Sequence, residues 1–173
     1  MKSAAQIADH PLHPMLVVVP AGAFIIALVL DVGYLISGAE LWWNATVPVM
    51  IIGVIGALLA ALPGAVDLFQ VARREEGAFR VGLAHMGVNL LLVAVFIFNF
   101  ALRLDAAPPR GGIPPEFWLT VAGVGLLGVS GWLGWHMVYN YRVGVADKPT
   151  GAVRADEPER TREAPEGGER SPA

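Results

Sequence analysis

Four apolar runs, each long enough to cross a lipid bilayer, constrain this chain more than any motif in it. A helix rising 1.5 Å per residue crosses the roughly 30 Å hydrocarbon core in about 20 residues. "MLVVVPAGAFIIALVLDVGYLIS" at about 15–37, "ATVPVMIIGVIGALLAALPGAVDLF" at about 45–69, "VGLAHMGVNLLLVAVFIFNFALRL" at about 81–104 and "PEFWLTVAGVGLLGVSGWLGWHMVYNY" at about 115–141 all qualify. Backbone amides in lipid must be satisfied within their own segment, which makes runs of this length helices. Barrel strands would be shorter and would alternate in polarity. The chain is 55% hydrophobic and 16% charged, against about 25% charged in soluble domains. The expected fold is therefore all-α: an integral membrane protein with four transmembrane helices in an antiparallel bundle. The first run does not fit a secretory signal peptide, because it exceeds a normal apolar region, carries Asp31 and lacks a strongly basic lead.

Four spans put both termini and the middle loop on one side. Lys2, Arg73, Arg74, Arg80, Arg142 and Lys148 fall on that side, against Arg103 and Arg110 on the other. The positive side is cytoplasmic by the usual charge rule, so the expected placement is N-in and C-in in a bacterial inner membrane. Trp42, Trp43 and Trp118 read as the outer aromatic belt, and Trp135, Tyr139 and Tyr141 as the inner one. The expected organisation is a cytoplasmic His-Pro entry at 1–14, a four-helix domain at 15–145 and a disordered cytoplasmic tail at 146–173. The tail, rich in charge, Pro and Gly, has too little apolar surface to offset ordering. No convincing sequence repeat is visible, and a helix-pair pseudo-repeat stays open.

Polar residues inside spans carry the functional information. His10, His13, His85 and His136, with Asp67 and Asn89, all map to the cytoplasmic level. Three readings stay open. The imidazoles can tie helices together by hydrogen bonds. They can ligate haem b or a transition metal, since neutral imidazole is a common ligand for iron, copper and zinc. They can form a proton or ion path with Asp67. In the ligand reading His85 and His13 come first, then His136 and His10, with Asp67 orienting an imidazole from behind. Pro11 and Pro14 disfavour helix at His10 and His13, so "HPLHP" reads as an irregular cap outside the first span.

Asp31, Asn44, Asn99 and Arg103 map to the outer level. A lone carboxylate inside a span costs about 2.5–3.5 kcal/mol on insertion scales, so Asp31 and Arg103 are expected to form a structural ion pair assisted by Asn99. Gly125, Gly128, Gly131 and Gly134 in span four, and Gly53, Gly56 and Ala60 in span two, read as close-packing positions. Pro48 and Pro63 are expected to bend span two.

The absence of cysteine excludes disulfides, thiolate nucleophiles and c-type haem attachment. No phosphate-binding loop, catalytic triad or basic nucleic-acid face is legible. The chain is not expected to be an enzyme by itself.

"HPLHPMLVVVPAG", Asp31, "LPGAVDLF", "AHMGVNL" and the closing "GWLGWHMVYNYRVGV" together resemble the DUF2231 family of predicted bacterial membrane proteins, over most of residues 10–145. "GWHMVY" departs from the Gly-Gly-x-Leu-Val-Tyr pattern of that family, which makes His136 a weaker family feature than His13. Some members of the family carry redox modules such as Rieske-type domains. The resemblance therefore implies a redox or haem-linked role, with a redox or other membrane protein as partner.

Overall fold

A computed structural model of the chain describes residues 3–104 and 106–145. The tail at 146–173, Lys2 and Lys148 lie outside the described residues. The elements are β1 (Gln6–Ile7), β2 (His10–Pro11), α1 (Leu12–Leu16), α2 (Val18–Ser37), α3 (Glu40–Ala72), α4 (Glu76–Arg103) and α5 (Pro115–Tyr141). Consecutive helices pack as neighbours, and α5 closes the ring against α2. The result is the expected antiparallel four-helix bundle, with all four spans long and apolar enough to cross a membrane.

The burial pattern is that of a protein solvated by lipid. Small and polar residues, with Phe24, Trp43, Met50, Leu92 and Phe96, face inward, while Ile25, Ile26, Leu58, Leu59, Leu90, Leu91, Phe98 and Trp132 are exposed. Along α2 the buried positions include Pro20, Phe24, Ala27, Asp31 and Tyr34. Along α4 they include Leu92, Phe96, Asn99 and Arg103. Steps alternating between four and three residues form the narrow seam of a left-handed bundle. Phe24 and Phe96 meet across the bundle centre as a parallel stack, centroids 3.9 Å apart and planes 9° from parallel.

Chain breaks have local causes. Pro20 has no N–H to give the Leu16 carbonyl and its ring crowds that oxygen, so α1 ends at Leu16 and α2 starts afresh at Val18. Gly38 closes α2 in the left-handed region (φ 65°), and its N–H reaches the Tyr34 carbonyl at 2.8 Å. Only Gly38 and Ala39 separate α2 from α3.

Several sequence expectations need revision. His13 lies inside a short helix, because Pro14 falls in its first turn, where a missing N–H costs nothing. The second span reaches 33 residues and continues through Pro48 and Pro63; at about 50 Å it outruns the hydrocarbon core. Trp43 is buried within the bundle and is not a belt residue, while Asn44 points outward. The glycine stripe of span four is not a packing face: a Cβ at Gly125, Gly128 or Gly131 would meet nothing within 4 Å among the described residues. Close approach occurs at Gly53, as expected for span two, and in span four at Gly123; a Cβ there would stand 2.5 Å from the Phe24 and Phe96 rings respectively.

Candidate functional site

Two polar layers stand at opposite ends of the Phe24–Phe96 stack. The first is fully buried. Arg103 grips Asp31 with both terminal nitrogens, Nη1 to Oδ1 at 2.7 Å and Nη2 to Oδ2 at 2.9 Å. Its Nε donates to Asn99 Oδ1 at 3.0 Å, and its guanidinium carbon lies 4.3 Å from the Trp43 ring centre. Asn99 Nδ2 donates to Thr120 Oγ1 at 2.8 Å, and Thr120 donates to Asp31 Oδ2 at 2.6 Å. Thr46 Oγ1 lies 3.4 Å from Asp31 Oδ1 and donates at 2.9 Å to the Trp42 carbonyl. All four spans thus contribute, and no buried side-chain N or O among the described residues lacks a partner. A charge pair of this kind, buried and wrapped by neutral donors, is an architectural clasp: both carboxylate oxygens of Asp31 are held by side chains of the bundle itself. Thr46 and Thr120 carry no expectation from the sequence, and Trp43 is expected there only as a belt residue. A signal existed for Thr46, since it and Asp31 lie equally far from the Gly38–Ala39 turn.

The second layer holds the histidines. His13 on α1 donates Nδ1–H to the Ala60 carbonyl of α3 at 2.8 Å. His85 on α4 donates Nδ1–H to the Ser130 carbonyl of α5 at 3.0 Å. A carbonyl accepts only, so Nδ1 carries the proton in each neutral ring and Nε2 carries the lone pair. The two rings stand 6.2 Å apart, centre to centre, with planes at 88°. Asn89 braces the His85 side of the pair, donating to Ser130 Oγ and to the His85 carbonyl, both at 2.8 Å. Gly64 and Gly134 are the residues against which the two imidazoles lie.

The other histidines stand apart from this pair. His10 is exposed on the hairpin and bonds the Ala8 carbonyl at 2.7 Å. His136 lies 2.7 Å from Asn140 Nδ2 and packs edge-on against Tyr141. Sequence depth put all four at one level; the faces they occupy keep two of them from joining. Asp67 does not orient an imidazole in this arrangement. It accepts from Ser3 Oγ at 2.8 Å, Ala4 N at 2.9 Å and Ala5 N at 3.2 Å, pinning the N-terminal segment to the end of α3. The orienting groups are backbone carbonyls, which side-chain spacing cannot reveal. Among the described residues no group of three or more His, Cys, Asp or Glu is arranged to hold a metal ion.

The role of Asp67 has a direct consequence. Asp67→Ala removes the acceptor of three donors and should release residues 3–11. Limited proteolysis is expected to cut the exposed turn near Ala8 and Asp9 several-fold faster, with the four spans left intact. An unchanged cleavage rate would show that the segment is held by something else.

Fold and polar layers define a class: a small four-span helical membrane protein with a buried ionic clasp at one end and a half-buried imidazole pair at the other. The chain belongs to the DUF2231 family, described as a predicted membrane protein, whose model matches residues 9–147. No curated protein and no solved structure shows a significant match to it.

Proposed function

We propose that this protein is a redox-associated membrane subunit that holds one metal centre, haem b iron or a bare transition-metal ion, between His13 and His85. The observation that carries the reading is the matched pair of Nδ1–carbonyl hydrogen bonds on rings 6.2 Å apart. Metal-binding histidines characteristically commit one nitrogen to a carbonyl or carboxylate and offer the other to the ion. Two imidazoles sharing one ion at about 2.0–2.1 Å per bond hold their ring centres about 6 Å apart. Two protein donors suit haem iron, whose macrocycle supplies the remaining ligands, or a low-coordinate cuprous ion. They fall short of the four protein ligands of a structural zinc site. Arg73 and Arg74 in the α3–α4 connection, with Arg80 in the first turns of α4, support an orientation with both termini in the cytoplasm of a bacterial inner membrane. That orientation puts the centre at the cytoplasmic end, within reach of a soluble or membrane redox partner.

The test is absorption spectroscopy and metal analysis of the purified full-length chain, as isolated and after titration with haemin or with cuprous ion. A Soret band, or copper bound at one per chain, is expected. A folded preparation that is colourless, metal-free and indifferent to both additions would leave the imidazoles as helix-to-helix hydrogen bonders in a cofactor-free structural subunit.

A further inference from the structure

Helices α2 and α4 run parallel across the bundle, and contacts between parallel helices share one sequence offset in any protein. That geometry does not require the contacting residues to match in kind, yet they do. His13 meets His85, Phe24 meets Phe96, and Asp31 meets its opposite charge, Arg103; each pair is separated by 72 residues. Nor does it require their partners on α3 and α5, which follow a separate offset, to match. Gly53 takes the Phe24 ring as Gly123 takes Phe96. The Ala60 carbonyl takes His13 as the Ser130 carbonyl takes His85. Gly64 lies against His13 as Gly134 lies against His85. These three correspondences share an offset of 70 residues. Phe-Ile at 24–25 and 96–97, and Gly-Val at 53–54 and 123–124, repeat in the sequence itself.

We infer that the chain is a duplicated helical hairpin, 12–72 and 84–142, with a two-fold axis along the bundle, and that His13 and His85 are equivalent halves of one site built on that axis. Each half supplies an imidazole, a carbonyl that orients it and a glycine that makes room for it. The axis runs along the membrane normal, as in transporters built from parallel repeats. The site part of the inference rests on the proposed metal-binding function; the duplication does not. The equivalence makes the two histidines ligands of equal rank, and gives Ala60, Ser130, Gly64 and Gly134 positioning roles. The halves have diverged in detail: a Cβ would stand 2.8 Å from His13 Nδ1 at Gly64, and 3.6 Å from His85 Cε1 at Gly134. The first approach is a clash and the second is ordinary contact.

Alanine and asparagine variants at both histidines, in the full-length chain, read the two parts separately. In the unliganded protein, His13→Ala and His85→Ala each remove one carbonyl bond and should lower the melting temperature alike, by about 2–4 °C. Asparagine retains an N–H at the Nδ1 position and lacks Nε2, so His13→Asn and His85→Asn should recover most of that loss. A drop at one position with none at the other overturns the duplication. With haemin or cuprous ion as probe, both asparagine variants should bind at least ten-fold more weakly. If the wild type binds and only one variant loses affinity, the two-fold site falls and the metal-binding function stands. If the wild type binds neither probe while the melting shifts match, the function falls and the duplicated hairpin stands.

Discussion

Arg103→Ala is expected to destabilise the bundle by about 3–5 kcal/mol, the cost of leaving a buried carboxylate without its counter-charge. Asp31 is 3% exposed and would keep only Thr120 and the distant Thr46 hydroxyl. Asp31→Ala should cost a similar amount, because the guanidinium would retain Asn99 and the Trp43 face but no anion. Removing both charges together has a different outcome. Asp31→Leu/Arg103→Leu replaces the pair with apolar volume, and such replacements are often neutral or stabilising. The double variant should therefore melt well above either single variant in detergent. Thr46, Asn99 and Thr120 stay in the seam, so the measurement also tells whether the charge pair itself stabilises the fold or only specifies its register. Wild-type melting of Arg103→Ala would show that the pair is open to water and screened.

Most of the architecture was legible because hydropathy and length decide it. A run of more than 20 apolar residues has few alternatives in lipid, and an ionisable residue inside it calls for a partner at the same depth. Asp31 and Arg103 could be matched on depth alone. What depth does not give is the face, and these spans are apolar on nearly every side, so helical periodicity carries little contrast. His136 and His85 lie at a similar depth, yet one packs against Tyr141 and the other reaches Ser130. Trp43 has the position of a belt residue and the environment of a core residue, because it shares the buried seam of α3 with Thr46 and Met50, where its ring meets the Arg103 guanidinium. The repeat is faint in the sequence for a related reason. Lipid-facing positions tolerate any large apolar residue, so only the seam preserves the correspondence, and it shows when the contacts are known.

The stack at the bundle centre is where packing should matter most. Phe24 and Phe96 are each no more than 1% exposed, and each ring is clamped between the other ring and a glycine of the adjacent helix. Helices in lipid gain nothing from hiding apolar surface, since the acyl chains are as apolar as the core; close contact holds them together. Phe24→Ala or Phe96→Ala should thus cost mainly the lost contacts and the cavity, about 3 kcal/mol, the low end of the range for Phe→Ala in water-soluble cores. Gly53→Ala attacks the same unit from the other side. Its new methyl would lie 2.5 Å from Phe24 Cε1, and the ring has no free direction to move because Phe96 lies parallel to it at 3.9 Å. Overpacking of this kind costs about 1–3 kcal/mol. Shortening the ring to Leu opens the space the methyl needs, so Gly53→Ala/Phe24→Leu should melt above the temperature expected from adding the two single losses. Gly123→Ala/Phe96→Leu should show the same coupling in the second hairpin. Strict additivity in both pairs would mean that the rings yield to the added methyls, and that the bundle centre is looser than the parallel stack implies.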